Sequence, residues 1–138
     1  MISSRSDKAY SISILSRFMA NPTEEHWKGV KWILRYIKST PKVGLCYKKS
    51  GNQIHLEGFV DEDYASNKDN RKSLTSYYIL LHRCCISWKS QLQNEVALSK
   101  TEVEYIATTE AFKEEISLKG ILEVIKVLKS QVILYSDN

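Results

Sequence analysis

The spacing of apolar residues changes at Pro41, and that change decides what the chain can build. Before it, apolar residues recur at three and four positions, the period of a helix; after it they recur at every second position, the period of a strand. SDKAYSISILSRFM, residues 6–19, sets Tyr10, Ile14 and Arg17 or Phe18 at helical spacing. Asn21-Pro22-Thr23-Glu24 then restarts the chain, with Asn21 as N-cap, Pro22 at the first helical position and Glu24 at the third. The helix that follows, EEHWKGVKWILRYIKST, carries Trp27, Val30, Leu34 and Ile37 on one stripe, which is expected to be buried. Beyond Pro41, VGLCYKK (43–49), a turn at Ser50-Gly51-Asn52 and QIHLEGFVD (53–61) read as a β-hairpin with Ile54 and Leu56 inward, His55 and Glu57 outward. Residues 61–73 read as a long polar loop, and SYYILLH (76–82), CISWKS (85–90) and EVALS (95–99) as strands. Residues 100–128 return to the helical period, with Ser99 and Glu102 as a capping box and Gly120 placed to bend or break the helix. QVILYSDN (131–138) is a continuous apolar run ended by an acid, the pattern of a buried parallel strand. The order predicts an α/β chain, or equally an α+β one, with a mixed sheet covered by at least one helix.

Charge divides the chain at nearly the same place. Residues 1–50 carry 10 Lys and Arg against 3 Asp and Glu, a balance of +7; residues 51–138 carry 10 against 13, a balance of −3. A basic segment suits a phosphate backbone and an acidic one suits a cation, although ordinary solvated faces give the same counts. Lys28, Lys31, Arg35 and Lys38 form a row on the second helix, with Trp32 and Tyr36 interleaved. Such a row fits nucleic acid with rings free to stack, and equally a wet face whose lysine stems cover those rings. Cys46 and the adjacent Cys84 and Cys85 make neither a disulfide framework nor a spaced zinc motif. With no long apolar run and no signal-peptide stretch, the expected setting is intracellular, cytoplasmic or nuclear, with no membrane partner.

Three acids share one circumstance. Asp61 ends the strand IHLEGFVD, Asp137 ends VILYSD, and Glu104 lies in the opening turn of the long helix within TEVEYIA. Acids from separate segments converge readily outside the carboxyl ends of strands in an open α/β sheet, and converged acids repel unless a divalent cation neutralises them. Each also has a plain role: Glu102 and Glu104 favour a helix N-terminus, and Asp61, Glu62, Asp63 and Asp137 suit loops and turns.

A resemblance sharpens the choice. SRFMANPTEEHWKGVKWILRYIKST (16–40), GFVDEDYASNKDNRKSLTSYY (58–78), ISWKSQLQNEVALSKTEVEYIATTEA (86–111) and VILYSDN (132–138) together resemble the C-terminal part of a copia-type retrotransposon Pol polyprotein. The segments resemble the tail of the reverse transcriptase followed by the first part of its ribonuclease H domain. The resemblance implies a helical reverse transcriptase tail over 1–42 and a ribonuclease H-like domain over 43–138, incomplete at its C-terminus. It implies Asp61, Glu104 and Asp137 as catalytic and metal-holding acids, and Glu102 as the cap. The implied cofactor is Mg²⁺ or Mn²⁺, two ions. The implied substrate is the RNA strand of an RNA–DNA hybrid, and the implied partner is the remainder of the polyprotein.

The sequence departs from the family pattern where Leu81-His82-Arg83-Cys84-Cys85 replaces a Gly-rich turn, where Ser76 stands for Gly, and where Arg5-Ser6-Asp7 replaces Arg-Pro-Asp. The last family helix, a last strand and a fourth acid are not among these residues, nor are the polymerase aspartates. Hydrolysis is accordingly expected to be weak or lost and polymerisation absent. A remnant that binds nucleic acid or a protein partner without catalysis is the alternative expectation.

Overall fold

A computed structural model describes residues 4–48, 55–67, 70–126 and 132–136. It divides into two compact units, Met1–Cys46 and Tyr47–Asn138. In the first, a 3-10 turn at Ser6–Lys8 leads into α1 (Ala9–Ser16), and α2 spans Glu24–Ser39. The second helix starts later than Asn21 and Pro22 suggest, with Thr23 as its N-cap. Thr23 donates its backbone N–H to His26 Nδ1 at 3.0 Å, and the His26 ring stacks on Phe18 with centroids 3.9 Å apart. Histidine at the third helical position thus fills the place a glutamate takes in a capping box, which moves the start by two residues.

The sheltered stripe of α2 also differs from expectation. His26, Gly29, Val30, Ile33 and Ile37 are its half-buried residues, whereas Trp27 is 55% and Leu34 54% exposed. The cause is α1: a Cβ on Gly29 would lie 3.0 Å from Leu15 Cδ2, so the two helices meet where α2 has no side chain. Arg5 closes the other end of α2, donating to the Thr40 carbonyl at 3.2 Å and to Thr40 Oγ1 at 3.0 Å. A cation at a helix C-terminus is favoured by the carbonyls that point there. Asp7 fixes that guanidinium through two contacts of 2.9 Å, and the hydrogen bond holds the Asp7 carboxyl below its usual range. The Arg-x-Asp turn therefore survives the replacement of its proline by Ser6.

The second unit contains β1 (Leu56–Asp63), β2 (Leu74–Leu81), β3 (Cys84–Leu92), α3 (Lys100–Val124) and β4 (Val132–Ser136). They form a four-stranded mixed sheet in the order β3-β2-β1-β4, with β1 parallel to β4 and the other pairings antiparallel. Leu56, Val60, Tyr77 and Ile79 from the sheet pack with Ala107, Ala111 and Leu122 of α3. The α+β character and the covering helix agree with the sequence reading. Residues 43–48 carry no strand, so that half of the expected hairpin is corrected; Ser50-Gly51-Asn52 and Ile54 lie outside the described residues. EVALS is a bend rather than a strand: Leu98 is 90% exposed and gives its N–H to Glu102 Oε2 at 2.7 Å, so no sheet neighbour receives it. Helix α3 runs unbroken through Gly120, and β4 is parallel as expected but half-exposed at the end of the sheet order. No helix among the described residues is long and apolar enough to cross a membrane.

Candidate functional site

The acids singled out in the sequence are placed by β1, β4 and α3. The parallel register of β1 and β4 ends at Val60↔Ser136, and Asp61 and Asp137 are the next residues in sequence. Asp61 is exposed and pairs across β2 with Ser76, whose hydroxyl stands 3.4 Å from Ser90 Oγ. Asp137 lies outside the described residues. Glu104 is sheltered, with its side chain 15% exposed, and Lys100 Nζ stands 3.7 Å from its Oε1 one helical turn away. Glu102 has the capping role expected of it: its N–H donates to Ser99 Oγ at 3.2 Å, and its carboxylate accepts from Leu98 rather than from Ser99 itself.

Strand parity adds a constraint that the sequence motif did not show. Leu56, Gly58 and Val60 face the core under α3, and the two-residue period places Glu62 on that same side. Asp61 and Asp63 fall with Glu57 and Phe59 on the opposite face, where Phe59 stacks between Tyr78 and Tyr135 at 4.9 and 5.0 Å. Among the described residues no three His, Cys, Asp or Glu side chains gather closely enough to hold a metal ion. Of the three expected ligands, Asp61 and Glu104 are described and Asp137 lies outside the described residues.

The basic row on α2 is solvent-facing along its length. Lys28 is engaged by Glu25 at 2.8 Å and Glu24 at 3.7 Å. Lys31 stands over the Trp27 ring at 5.7 Å and Arg35 over Trp32 at 5.3 Å, while Tyr36 carries Lys8 at 3.4 Å. The cations and the rings are thus both exposed and in contact with each other, which joins the two sequence readings rather than choosing between them.

Two polar residues went unnoticed in the sequence. Glu115 is 1% exposed, although a signal for it existed: it continues the four-residue spacing of Val103, Ala107 and Ala111. Gln93 is 6% exposed just after β3, and nothing in its neighbourhood of polar residues marked it.

These observations define a class: an α+β unit with a mixed sheet and one long covering helix, joined in sequence to a basic helical unit. Comparison with known proteins gives the origin: the chain is a region derived from a copia-type retrotransposon Pol polyprotein. It is 44% identical, over all of its 138 residues, to the retrovirus-related Pol polyprotein from transposon TNT 1-94 of Nicotiana tabacum, covering 10% of that protein. It is 37% identical over 135 residues to the retrovirus-related Pol polyprotein from transposon RE1 of Arabidopsis thaliana, 97% of this chain and 9% of that one. It is also 39% identical over 118 residues to secreted RxLR effector protein 161 of Plasmopara viticola, 86% of this chain and 82% of that one. The chain thus spans about a tenth of the length of these Pol polyproteins. No protein-family model and no solved structure matches it.

Proposed function

We propose that the second unit is a ribonuclease H-like domain whose chemistry is hydrolysis of the RNA strand of an RNA–DNA hybrid. The observation that carries the reading is the parallel pairing of β1 with β4, whose register ends at Val60↔Ser136, so that Asp61 and Asp137 are the next residues in sequence on the two strands. The site of an open sheet gathers at such strand ends. Glu104, one helical turn into α3, is the third acid, and Lys100 is the cation already drawn to it.

The donor chemistry fits a hard divalent ion such as Mg²⁺ or Mn²⁺, since all three groups are carboxylates. Asp61, Glu104 and Asp137 would hold it, and Lys100 would have to yield its place beside Glu104. Two such ions, when bound, activate a water and stabilise the leaving oxygen of a phosphodiester. The protein's own part is to position the carboxylates and to bind the hybrid by its shape and 2′-hydroxyls.

The test is a labelled RNA–DNA hybrid incubated with the full chain in Mg²⁺, in Mn²⁺ and in chelator, beside Asp61→Asn, Glu62→Gln and Glu104→Gln. The expected result is slow, metal-dependent cutting of the RNA strand that Asp61→Asn and Glu104→Gln abolish and Glu62→Gln preserves. If Glu62→Gln abolishes cutting and Asp61→Asn does not, strand parity rather than the motif identifies the working acid. Cutting untouched by all three changes would show the site to be elsewhere.

A second reading is favoured by α2, where Lys31, Arg35 and Lys38 are exposed and no residue is fully buried. In it the chain is a catalytically inert remnant that binds nucleic acid. Hybrid binding that weakens steeply with salt, and less steeply after Lys31, Arg35 and Lys38 are replaced by alanine, supports it. Binding insensitive to those changes sinks it.

A further inference from the structure

The solvent side of α2 has an internal order that its composition does not show. His26, Gly29, Val30, Ile33 and Ile37 are half-buried on one side of the helix. Across from them Lys31, Arg35 and Lys38 recur at four and then three residues, all exposed, so they form one line along the axis. Two borders of apolar groups flank that line. Trp27 and Leu34 make one and Trp32 and Tyr36 the other, and all four are exposed.

The line is uncompensated. Glu24 and Glu25 hold Lys28 at 3.7 and 2.8 Å, whereas Lys31, Arg35 and Lys38 make no ion pair with any described carboxylate. At ~1.5 Å per residue, three free cations spread over about 10 Å of helix, which suits an anion whose charge repeats. A bilayer surface does not fit. A helix lying in a membrane sinks the middle of its exposed arc and lifts its cations at the borders, and α2 has the reverse order.

A bare polyanion leaves the borders unused. Trp32 is 68% exposed, with Arg35 5.3 Å from its centroid, and no second cation and no other ring covers it among the described residues. Tyr36, by contrast, already carries Lys8 at 3.4 Å. An open indole beside a line of free cations is a place for a flat ring attached to a phosphate. An unpaired nucleotide supplies both, while the bases of a duplex are stacked on each other and out of reach.

We propose that α2 binds single-stranded nucleic acid, with phosphates along Lys31, Arg35 and Lys38 and a base stacked on Trp32. The inference rests on the nucleic-acid reading of α2 and specifies its ligand.

The experiment is fluorescence anisotropy of a short labelled oligouridine with the full chain, beside an abasic strand of the same length, an RNA duplex and anionic phosphatidylserine vesicles. The oligouridine is expected to bind about tenfold more tightly than the abasic strand, because stacking is lost with the base. The slope of log affinity against log salt should lie near about −2, from three phosphate contacts at ~0.7 each. Trp32→Ala, at an exposed position that folding does not need, should weaken the oligouridine about tenfold and leave the abasic strand unchanged, and Trp32→Phe should restore most of the loss. Replacing Lys31, Arg35 and Lys38 together by alanine should weaken both strands. If no nucleic acid binds, the reading of α2 falls and the inference with it. If binding needs the three cations but is equal for oligouridine and abasic strand, or is untouched by Trp32→Ala, the reading of α2 stands and the inference is overturned. A duplex bound as tightly as the single strand, or vesicles bound where oligouridine is not, overturns it as well.

Discussion

No described residue of Met1–Cys46 is fully buried, whereas Tyr47–Asn138 removes Leu56, Ile79, Val103, Ala107 and Ala111 completely from water. Hydrophobic stabilisation follows the apolar area removed from water, so the two units rest on different physics. The first is held by directed contacts: Arg5 on Thr40, Lys8 on the Tyr36 ring, Phe18 against His26 and Leu15 over Gly29. The second is held by a core. A surface-held unit tolerates a misplaced polar group, while a core is penalised by each one it encloses, and this difference sets the order of the effects below.

Glu115 should have the largest effect. It sits on the core face of α3, where a Cβ on Gly58 would come within 3.1 Å of its Oε1, and neither carboxylate oxygen has a hydrogen-bond partner among the described residues. Replacing it by leucine should stabilise the second unit by about 1–3 kcal/mol at neutral pH, the scale on which an unsatisfied buried polar group is penalised. Burial raises its pKa above the ordinary 4.5. Below that value the carboxyl is protonated in both folded and unfolded chains and costs nothing in ionisation. As pH rises through it, the unfolded chain ionises first and stability falls, until the folded carboxyl ionises too and the loss becomes constant. Denaturant melts across this range should show a wild-type minus Glu115→Leu difference that grows more unfavourable with rising pH. A difference flat in pH would mean that Glu115 has a partner and that the core of the second unit is not penalised as described.

The sequence conveyed this contrast only in part. The period change at Pro41, the three strands ending β1, β2 and β3, the cap at Ser99 and the parallel pairing of VILYS were legible because each rests on local spacing. What escaped depended on a distant segment. Gly29 reoriented α2 because Leu15 of another helix needed the space, and EVALS lost its strand because Glu102 of the next helix took its N–H. The site was legible as residues and not as an arrangement: Asp61 and Glu104 could be named from a motif, but that a single step along β1 exchanges Asp61 for Glu62 on the core side is a fact of register.

The second effect falls on the β2–β3 turn. His82 and Arg83 adopt φ of 50° and 65°, both left-handed, in a two-residue connection between Leu81 and Cys84. Side chains with a Cβ are strained there, and Asn-Gly is the pair such turns favour. The double change His82→Asn with Arg83→Gly should stabilise the second unit by about 1–2 kcal/mol. Thermal melts with and without the change check it. A loss of stability would mean that these side chains contribute contacts that outweigh the backbone strain.

The smallest effect compares the units directly, because each has one glycine inside a long helix. Glycine costs a helix interior about 0.5–1 kcal/mol relative to alanine, in chain entropy rather than in contacts. At Gly120 of α3 an added Cβ meets nothing within 4 Å, so Gly120→Ala should recover that full amount. At Gly29 of α2 the Cβ would meet Leu15 Cδ2 at 3.0 Å and Cδ1 at 3.5 Å. Those are the ends of a flexible side chain, which can turn aside, but turning removes the contact by which α1 rests on α2. Gly29→Ala should therefore gain less than Gly120→Ala, or nothing, while Gly29→Ala combined with Leu15→Ala should show the helix propensity gain without the clash. Far-ultraviolet circular dichroism through a melt resolves both. Equal gains at the two glycines would mean that Leu15 does not anchor the first unit, and that its helices lie together through the Arg5 and Phe18 contacts alone.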